Sequence, residues 1–250
     1  MSWAQFPVCA QAYSFNWFCF SSWSGYNDEL VWGAAWLYRA TKERAYLNKA
    51  ETYAKASDFA GEIQEFSWDD KKAGALLLLA RLTNKSVYKQ KVQQFLNRWL
   101  PGNKVTYTPK GLAWLRQWGP NRYAANTAYL ALVAADLGMR PAEYRTFARN
   151  QIHYLLGDSG RSYVVGFGKN PPKRPHHRSS SCPLAPAPCD WTNKDAPGPN
   201  PHVLYGALVG GPDKYDKYND DRGDYIKNEV ATDYNAGFQS AVAGLKIRQL

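Results

Sequence analysis

The 250-residue sequence has no apolar run that approaches the roughly 20 residues of a membrane-spanning helix. We therefore expect no membrane partner. The sequence also lacks a block of basic residues, because its 31 lysines and arginines are scattered along the chain despite a net charge of +10. Since a partner such as nucleic acid is recognised by concentrated positive charge, we interpret this charge as a contribution to solubility and expect no nucleic-acid partner.

Cysteine is scarce, with four residues in the chain. Cys182 and Cys189 flank a proline-rich loop, SCPLAPAPC, and a bond between them would be typical of an exported protein. Two reduced surface thiols would be equally compatible with the sequence, which leaves both alternatives open.

Residues 1–21 lack the basic start and the continuous apolar segment of a signal peptide. They are apolar and aromatic, but they show no helical periodicity. We therefore interpret residues 1–21 as an atypical N-terminus and expect residues 22–250 to form the domain.

The rest of the chain shows helical periodicity. Apolar residues recur at three- and four-residue spacing in seven segments, most of them adjacent in pairs, which predicts an all-α fold of helical hairpins. The segments are residues 28–40, 42–56, 71–82, 87–100, 122–137, 141–157 and a final one from 230 onward. Residues 106–119 look irregular or strand-like, and residues 158–227 are predicted to be a long loop region that carries function.

The last predicted helix follows a stretch that is dense in carboxylates. The five acids of this stretch are Asp220, Asp221, Asp224, Glu229 and Asp233. We predict that Glu229 lies at the mouth of the helix, with Asn228 as its N-cap. Glycoside hydrolysis is carried out by two neighbouring carboxyl groups whose pKa values differ. The alternative is a solvated loop that leads into a helix.

A second stretch, SYVVGFGKNPPKRPHHR, occupies residues 162–178. The two stretches together resemble glycoside hydrolase family 9, the inverting endoglucanases with an (α/α)6 barrel, and its animal members above all. Residues 162–178 match the first signature of the family throughout. The second signature is matched by Tyr218, Asp220, Tyr225, Glu229 and the pair Asn235-Ala236.

The resemblance implies an enzyme that hydrolyses internal β-1,4-glucosidic bonds of cellulose or related β-glucans with inversion and needs no cofactor for the chemistry. Glu229 matches the general acid of the family. Asp220 matches a further active-site acid, whose role is to order the site or tune Glu229; the alternative is that it caps a loop. His176 matches an active-site histidine.

The resemblance also implies residues that bind the glucan. They are Arg178, Trp23, Trp68, Trp118, Arg122 and Tyr234. For any single tryptophan the alternative is packing in the core. Many family members hold a structural calcium near the YNDEL turn, where Ser24, Asp28, Glu29 and Asp69 match its ligands; these groups could equally cap helices.

One part of the family pattern has no match. The catalytic base of the family lies in an N-terminal motif of the type DAGD, and no such motif occurs in this sequence. We therefore expect the C-terminal part of the family domain, an incomplete (α/α)6 barrel, with severely impaired hydrolysis if the chain is complete. The alternative function is a carbohydrate-binding remnant of such an enzyme. Family resemblance further implies a secreted monomer.

Overall fold

The computed structural model describes residue 23, residues 25–55 and residues 59–248. The atypical N-terminus expected for residues 1–21 and the predicted calcium ligand Ser24 lie outside these residues.

Helices are the main regular structure of the described chain, which confirms the predicted all-α class. In chain order they are α1 (Asn27–Thr41), α2 (Arg44–Tyr53), α3 (Lys72–Thr83), α4 (Ser86–Trp99), α5 (Pro120–Asp136), α6 (Pro141–His153), the short α7 (Arg178–Ser181), α8 (Thr192–Asp195) and α9 (Tyr225–Asn228), and α10 (Thr232–Arg248). Each of the seven predicted segments corresponds to one of the long helices. In the described part of the chain, no helix has both the length and the apolar character to cross a membrane.

The core lies around α5, which packs against α6 and α10 and also touches α3 and α4. Pro120 starts this helix at its first position, where a missing N–H costs no hydrogen bond. Alanines on several faces of α5 are fully buried, which lets its neighbours approach closely. A second group is formed by α1, which packs against α2 and α3.

Two short strands occupy the segment that was predicted to be irregular or strand-like. Strands β1 (Thr106–Tyr107) and β2 (Ala113–Trp114) form a two-stranded antiparallel sheet. The helix predicted for residues 141–157 is α-helical only to His153 and then continues as a π-helical turn, Tyr154–Asp158.

The predicted start of the last helix is wrong. The helix α10 begins at Thr232, and Asn228 is the last residue of the separate helix α9, so it caps nothing in α10. Glu229 has extended backbone torsions, with φ −57° and ψ 143°. The physical reason is a β-bridge between Val209 and Val230, which draws the chain before α10 into an extended form.

Isolated β-bridges join distant parts of the long loop region. Val164 pairs antiparallel with Leu208, and His176 pairs parallel with Glu229. The two sequence motifs, some 60 residues apart, therefore lie side by side.

The helices α5 and α10 approach most closely at Gly237. A Cβ at this position would lie 2.7 Å from the Cα of Asn126, which is backbone and cannot move aside. We expect Gly237→Ala to lower the free energy of unfolding by about 1–3 kcal/mol, as overpacking does, in urea denaturation.

Gly33→Ala in α1 is the matched control, because a Cβ there meets nothing within 4 Å. It should be neutral or stabilising by up to about 1 kcal/mol. Equal effects of the two substitutions would contradict the close packing of α5 on α10.

Candidate active site

The carboxylate of Glu229 is bound by two donors from different elements. Its Oε2 accepts hydrogen bonds from Trp118 Nε1 at 2.7 Å and from the Tyr234 hydroxyl at 2.6 Å. Trp118 lies just before α5, and Tyr234 lies in the first turn of α10. Both bonds go to Oε2, so Oε1 is left as the oxygen that a ligand can reach.

Tyr234 is itself braced by buried polar groups. Burial, and then its hydrogen bond to Glu229, raises the pKa of Tyr234, so its hydroxyl remains a donor at neutral pH. The guanidinium of Arg122 lies 4.9 Å from the Tyr234 ring centroid and binds Asp233 at 2.9 Å and the Tyr123 hydroxyl at 2.8 Å. Arg122 is thus buried and engaged within the protein, where it supports Tyr234; its role in substrate binding stays a prediction.

The half-buried His176 lies beside Glu229 through their β-bridge, in which its N–H donates to the Asn228 carbonyl at 2.7 Å. Its Nδ1 lies 2.8 Å from the carbonyl oxygen of Arg222. Since a carbonyl only accepts, Nδ1 carries a proton, and Nε2 is the nitrogen that remains for other contacts.

Aromatic rings follow one another next to the carboxylate. The Tyr225 ring centroid lies 5.2 Å from that of Trp118 and 6.0 Å from that of His176. Trp118 and Tyr225 are 45% and 48% exposed. Exposed flat rings beside a carboxyl suit the apolar face of a pyranose.

Asp220 binds the turn that leads to His176. Its Oδ2 accepts from the N–H of Lys173 at 2.8 Å and its Oδ1 from the N–H of Arg174 at 2.9 Å. These contacts match the loop-capping alternative, and through them Asp220 also joins the second motif to the first. Its role in catalysis stays a prediction.

Arg178 begins α7 and is exposed, with its guanidinium 5.3 Å from the ring centroid of Trp191. Trp191 follows the loop that a Cys182–Cys189 disulfide closes, so the pairing that the sequence left open is formed. A cavity of about 1130 Å³, with His177 and Val230 in its wall, borders this region without Glu229 among its lining residues.

Trp23 and Trp68 belong to a different group of contacts. The N–H of Trp23 donates to Asp69 Oδ1 at 2.6 Å, and the carbonyl of Trp68 accepts from the ammonium of Lys71. Both rings are exposed, but these contacts do not join them to Glu229. Their part in binding a glucan stays a prediction.

Two predicted calcium ligands carry buried oxygens without a hydrogen-bond partner, namely Oδ1 of Asp28 and Oε2 of Glu29. The other oxygen of Asp28 accepts from the N–H of Lys71 at 2.5 Å. Burial, and then the neighbouring Asp28 carboxyl, raises the pKa of Glu29 to about 7. Orphaned carboxyl oxygens fit a hard cation, although among the described residues no three or more His, Cys, Asp or Glu side chains cluster as a metal site.

Two supporting roles were not predicted from the sequence, which pointed to Asn228 only as a helix N-cap and did not single out Arg222. Asn228 is fully buried, accepts from the Tyr218 hydroxyl and donates to the Asn219 carbonyl at 3.0 Å. Arg222 is equally buried and lies between the two acids Asp220 and Glu229 in sequence. Their places inside the second motif were the available signal, but no local pattern reveals that such polar side chains are buried.

The comparisons with known proteins agree with this geometry. Residues 7–242 match the family model "Glycosyl hydrolase family 9". The chain is 47% identical to Endoglucanase A of Bacillus pumilus over 241 residues, which cover 90% of this chain and 35% of the relative. It is 47% identical to an endoglucanase of Dictyostelium discoideum over 233 residues, which cover 90% of this chain and 31% of the relative.

Solved structures match as well. An endoglucanase of the termite Nasutitermes takasagoensis superposes with a TM-score of 0.88 at 54% identity, covering 94% of this chain and 53% of that one. The endoglucanase CelQ of Clostridium thermocellum, in complex with cellotriose, superposes with a TM-score of 0.83 at 46% identity, covering 94% and 40%. These relatives are (α/α)6 barrels, which confirms the predicted architecture, and the chain spans about a third to a half of their length.

Substitution of Asp220 tests whether its hydrogen bonds between the two motifs stabilise the fold. Asp220→Ala removes both acceptors of the Lys173 and Arg174 N–H groups, so we expect the free energy of unfolding to fall by about 1–3 kcal/mol in urea denaturation. Asp195→Ala, at an exposed carboxylate of α8, should change it by less than about 0.5 kcal/mol. An Asp220→Ala protein as stable as this control would show that these hydrogen bonds contribute nothing to the stability of the fold.

Proposed function

Because the chain belongs to glycosyl hydrolase family 9, we propose that it carries the acid side of an endoglucanase active site, with Glu229 as the general acid. The single observation that carries this proposal is the geometry of Glu229. Its Oε2 is bound by Trp118 and Tyr234, Oε1 is available, and His176 lies alongside. A proton donor that is oriented by fixed neighbours loses little freedom when substrate binds.

The proposed reaction is hydrolysis of an internal β-1,4-glucosidic bond with inversion. Glu229 gives its proton to the glycosidic oxygen, so that the leaving sugar departs as an alcohol. A water molecule attacks the anomeric carbon from the opposite face and loses a proton to a second carboxylate, which in such enzymes lies roughly 6.5–9.5 Å from the first. We assign no residue of this chain to that base.

The proposed substrate is a β-1,4-glucan or its oligosaccharides. The exposed rings of Trp118 and Tyr225 beside Glu229 support this choice, as does the cellotriose in the CelQ complex. The residues proposed to contact the sugars, together with Glu229 and Asp220, are His176, Arg178, Trp23, Trp68, Trp118, Arg122 and Tyr234.

A second candidate function is a carbohydrate-binding remnant that no longer cuts. The observation in its favour is that the rings of Trp118 and Tyr225 are exposed beside Glu229, as sugar stacking requires. Such a protein would keep the aromatic side chains and the acid, and it would bind oligosaccharides without turnover.

We also propose a structural calcium, held by Asp28, Glu29 and Asp69 together with Ser24. The orphaned buried oxygens of Asp28 and Glu29 support it. The chemistry of hydrolysis would not pass through this ion. The Cys182–Cys189 disulfide supports export of the protein, since such bonds persist in oxidising compartments, and we propose that it acts as a monomer.

Glu229→Gln tests the proposed acid. The amide keeps the shape and an acceptor oxygen but cannot donate the acid's proton, so turnover of carboxymethylcellulose should fall by about 10²–10⁴-fold. Binding of cellotriose, measured by calorimetry, should persist. Glu143→Gln, at an exposed position of α6, is the control and should match the unmodified chain.

The same assays separate the two functions. Turnover that Glu229→Gln abolishes supports the enzyme, whereas cellotriose binding without turnover in the unmodified chain supports the remnant. A folded chain that neither binds cellotriose nor hydrolyses the polymer would overturn both.

Calcium should stabilise the fold. At a concentration about 100 times its Kd, a bound ion contributes roughly 2.7 kcal/mol, which for a chain of this size raises Tm by roughly 5–10 °C. Scanning calorimetry of the protein with calcium and with EDTA measures the shift. Asp28→Asn should abolish it and Glu143→Gln should not, so an equal shift in both variants would contradict these ligands.

A further inference from the structure

Arg222 is a buried cation with unusual partners. Its side chain is 2% exposed, and all its hydrogen bonds go to neutral oxygens. Its Nε donates to Asn200 Oδ1 at 2.6 Å. The remaining N–H groups donate to the carbonyls of Asn193, Lys194, Ala196 and Gly198 at 2.9–3.3 Å.

The shape of these contacts requires a guanidinium. Five N–H donors in one rigid plane can reach several carbonyls of a single loop at once, whereas the ammonium of lysine has three donors around one atom. Because a buried charge without such partners would be strongly unfavourable, the loop and Arg222 stabilise each other. Arg222 therefore orders residues 193–198, which include the end of α8.

Asn200 extends this arrangement toward the proposed active site. Its Nδ2 donates to the Pro175 carbonyl at 3.0 Å and to Ser180 Oγ at 2.6 Å. Its backbone N–H donates to the Lys173 carbonyl at 2.8 Å. The amide uses its oxygen for Arg222 and its nitrogen for the turn, so its orientation is fixed by both.

His176 is consequently bound to Arg222 by two routes. In the first route, the Arg222 side chain binds Asn200, which in turn binds the carbonyl of Pro175, the residue before His176. In the second route, Nδ1 of His176 donates directly to the Arg222 carbonyl at 2.8 Å. The position of that carbonyl depends on the anchored side chain of the same residue.

We propose that Arg222 is a positioning residue of the active site, which fixes His176 in its Nδ1-protonated form and leaves Nε2 to accept a hydrogen bond from a glucan hydroxyl. Through this contact Arg222 acts on the substrate without touching it. The inference rests on the proposed function insofar as His176 contacts the sugar.

The tautomer is measured by long-range ¹H–¹⁵N NMR spectra of the folded chain with ¹⁵N-labelled histidine, above the pH at which the ring loses its charge. His176→Gln identifies the signals. The unmodified chain should show a protonated Nδ1 and an unprotonated Nε2. Arg222→Lys and Arg222→Met should shift both nitrogen signals toward the values of a mixture of tautomers.

Arg98→Lys is the matched control, because Arg98 is also shielded but pairs with Glu62 in a different part of the fold. It should leave the His176 signals unchanged. Where an Arg222 variant does not fold, Asn200→Ala removes the route through Pro175 and should give the same change. We also expect cellotriose to bind about tenfold more weakly to Arg222→Lys, the effect of one lost hydrogen bond, and equally well to Arg98→Lys.

The proposal is overturned if His176 in the unmodified chain is protonated at Nε2 alone, or if its signals are the same in folded Arg222→Lys. Failure of the proposed function gives a different result. In that case the unmodified chain does not bind cellotriose, while the change of tautomer in the Arg222 variants is still observed.

Discussion

The catalytic role proposed for this chain depends on the backbone of Glu229 being fixed on both sides. On one side it pairs with His176, and on the other the N–H of Gly210 donates to the Glu229 carbonyl at 2.9 Å. A Cβ at Gly210 would lie 2.5 Å from the Ile226 carbonyl oxygen, so only glycine allows this approach. The backbone of Glu229, which lies between α9 and α10, is therefore paired on both sides like that of a strand in a sheet.

Hydrogen bonds from neighbouring side chains then orient the carboxyl group of Glu229. Trp118 and Tyr234 both bind Oε2, and they are brought together by the packing of α5 against α10. Arg122, paired with Asp233, braces the Tyr234 ring from the core side. Helix packing, a partly buried ion pair and two hydrogen bonds thus form one continuous path from the core of the protein to the proposed proton donor.

The sequence predicted the parts that are encoded locally. The seven long helices follow from apolar periodicity, and the two motifs identified Glu229, His176 and Asp220 as neighbours of a common site. The start of α10 was misplaced because the extended form of Glu229 is imposed by Val209, which is distant in sequence. The burial of Arg222 and the orphaned oxygen of Asp28 likewise depend on contacts across the fold, which no local pattern encodes.

The central claim is that Glu229 donates a proton to a glycosidic oxygen, and a crystal structure of the Glu229→Gln chain with cellotriose tests it most directly. The account predicts a glycosidic oxygen within about 2.6–3.2 Å of the side chain at position 229, with a glucosyl ring against Trp118 or Tyr225. A cellotriose molecule bound elsewhere, with position 229 facing only solvent, would contradict it.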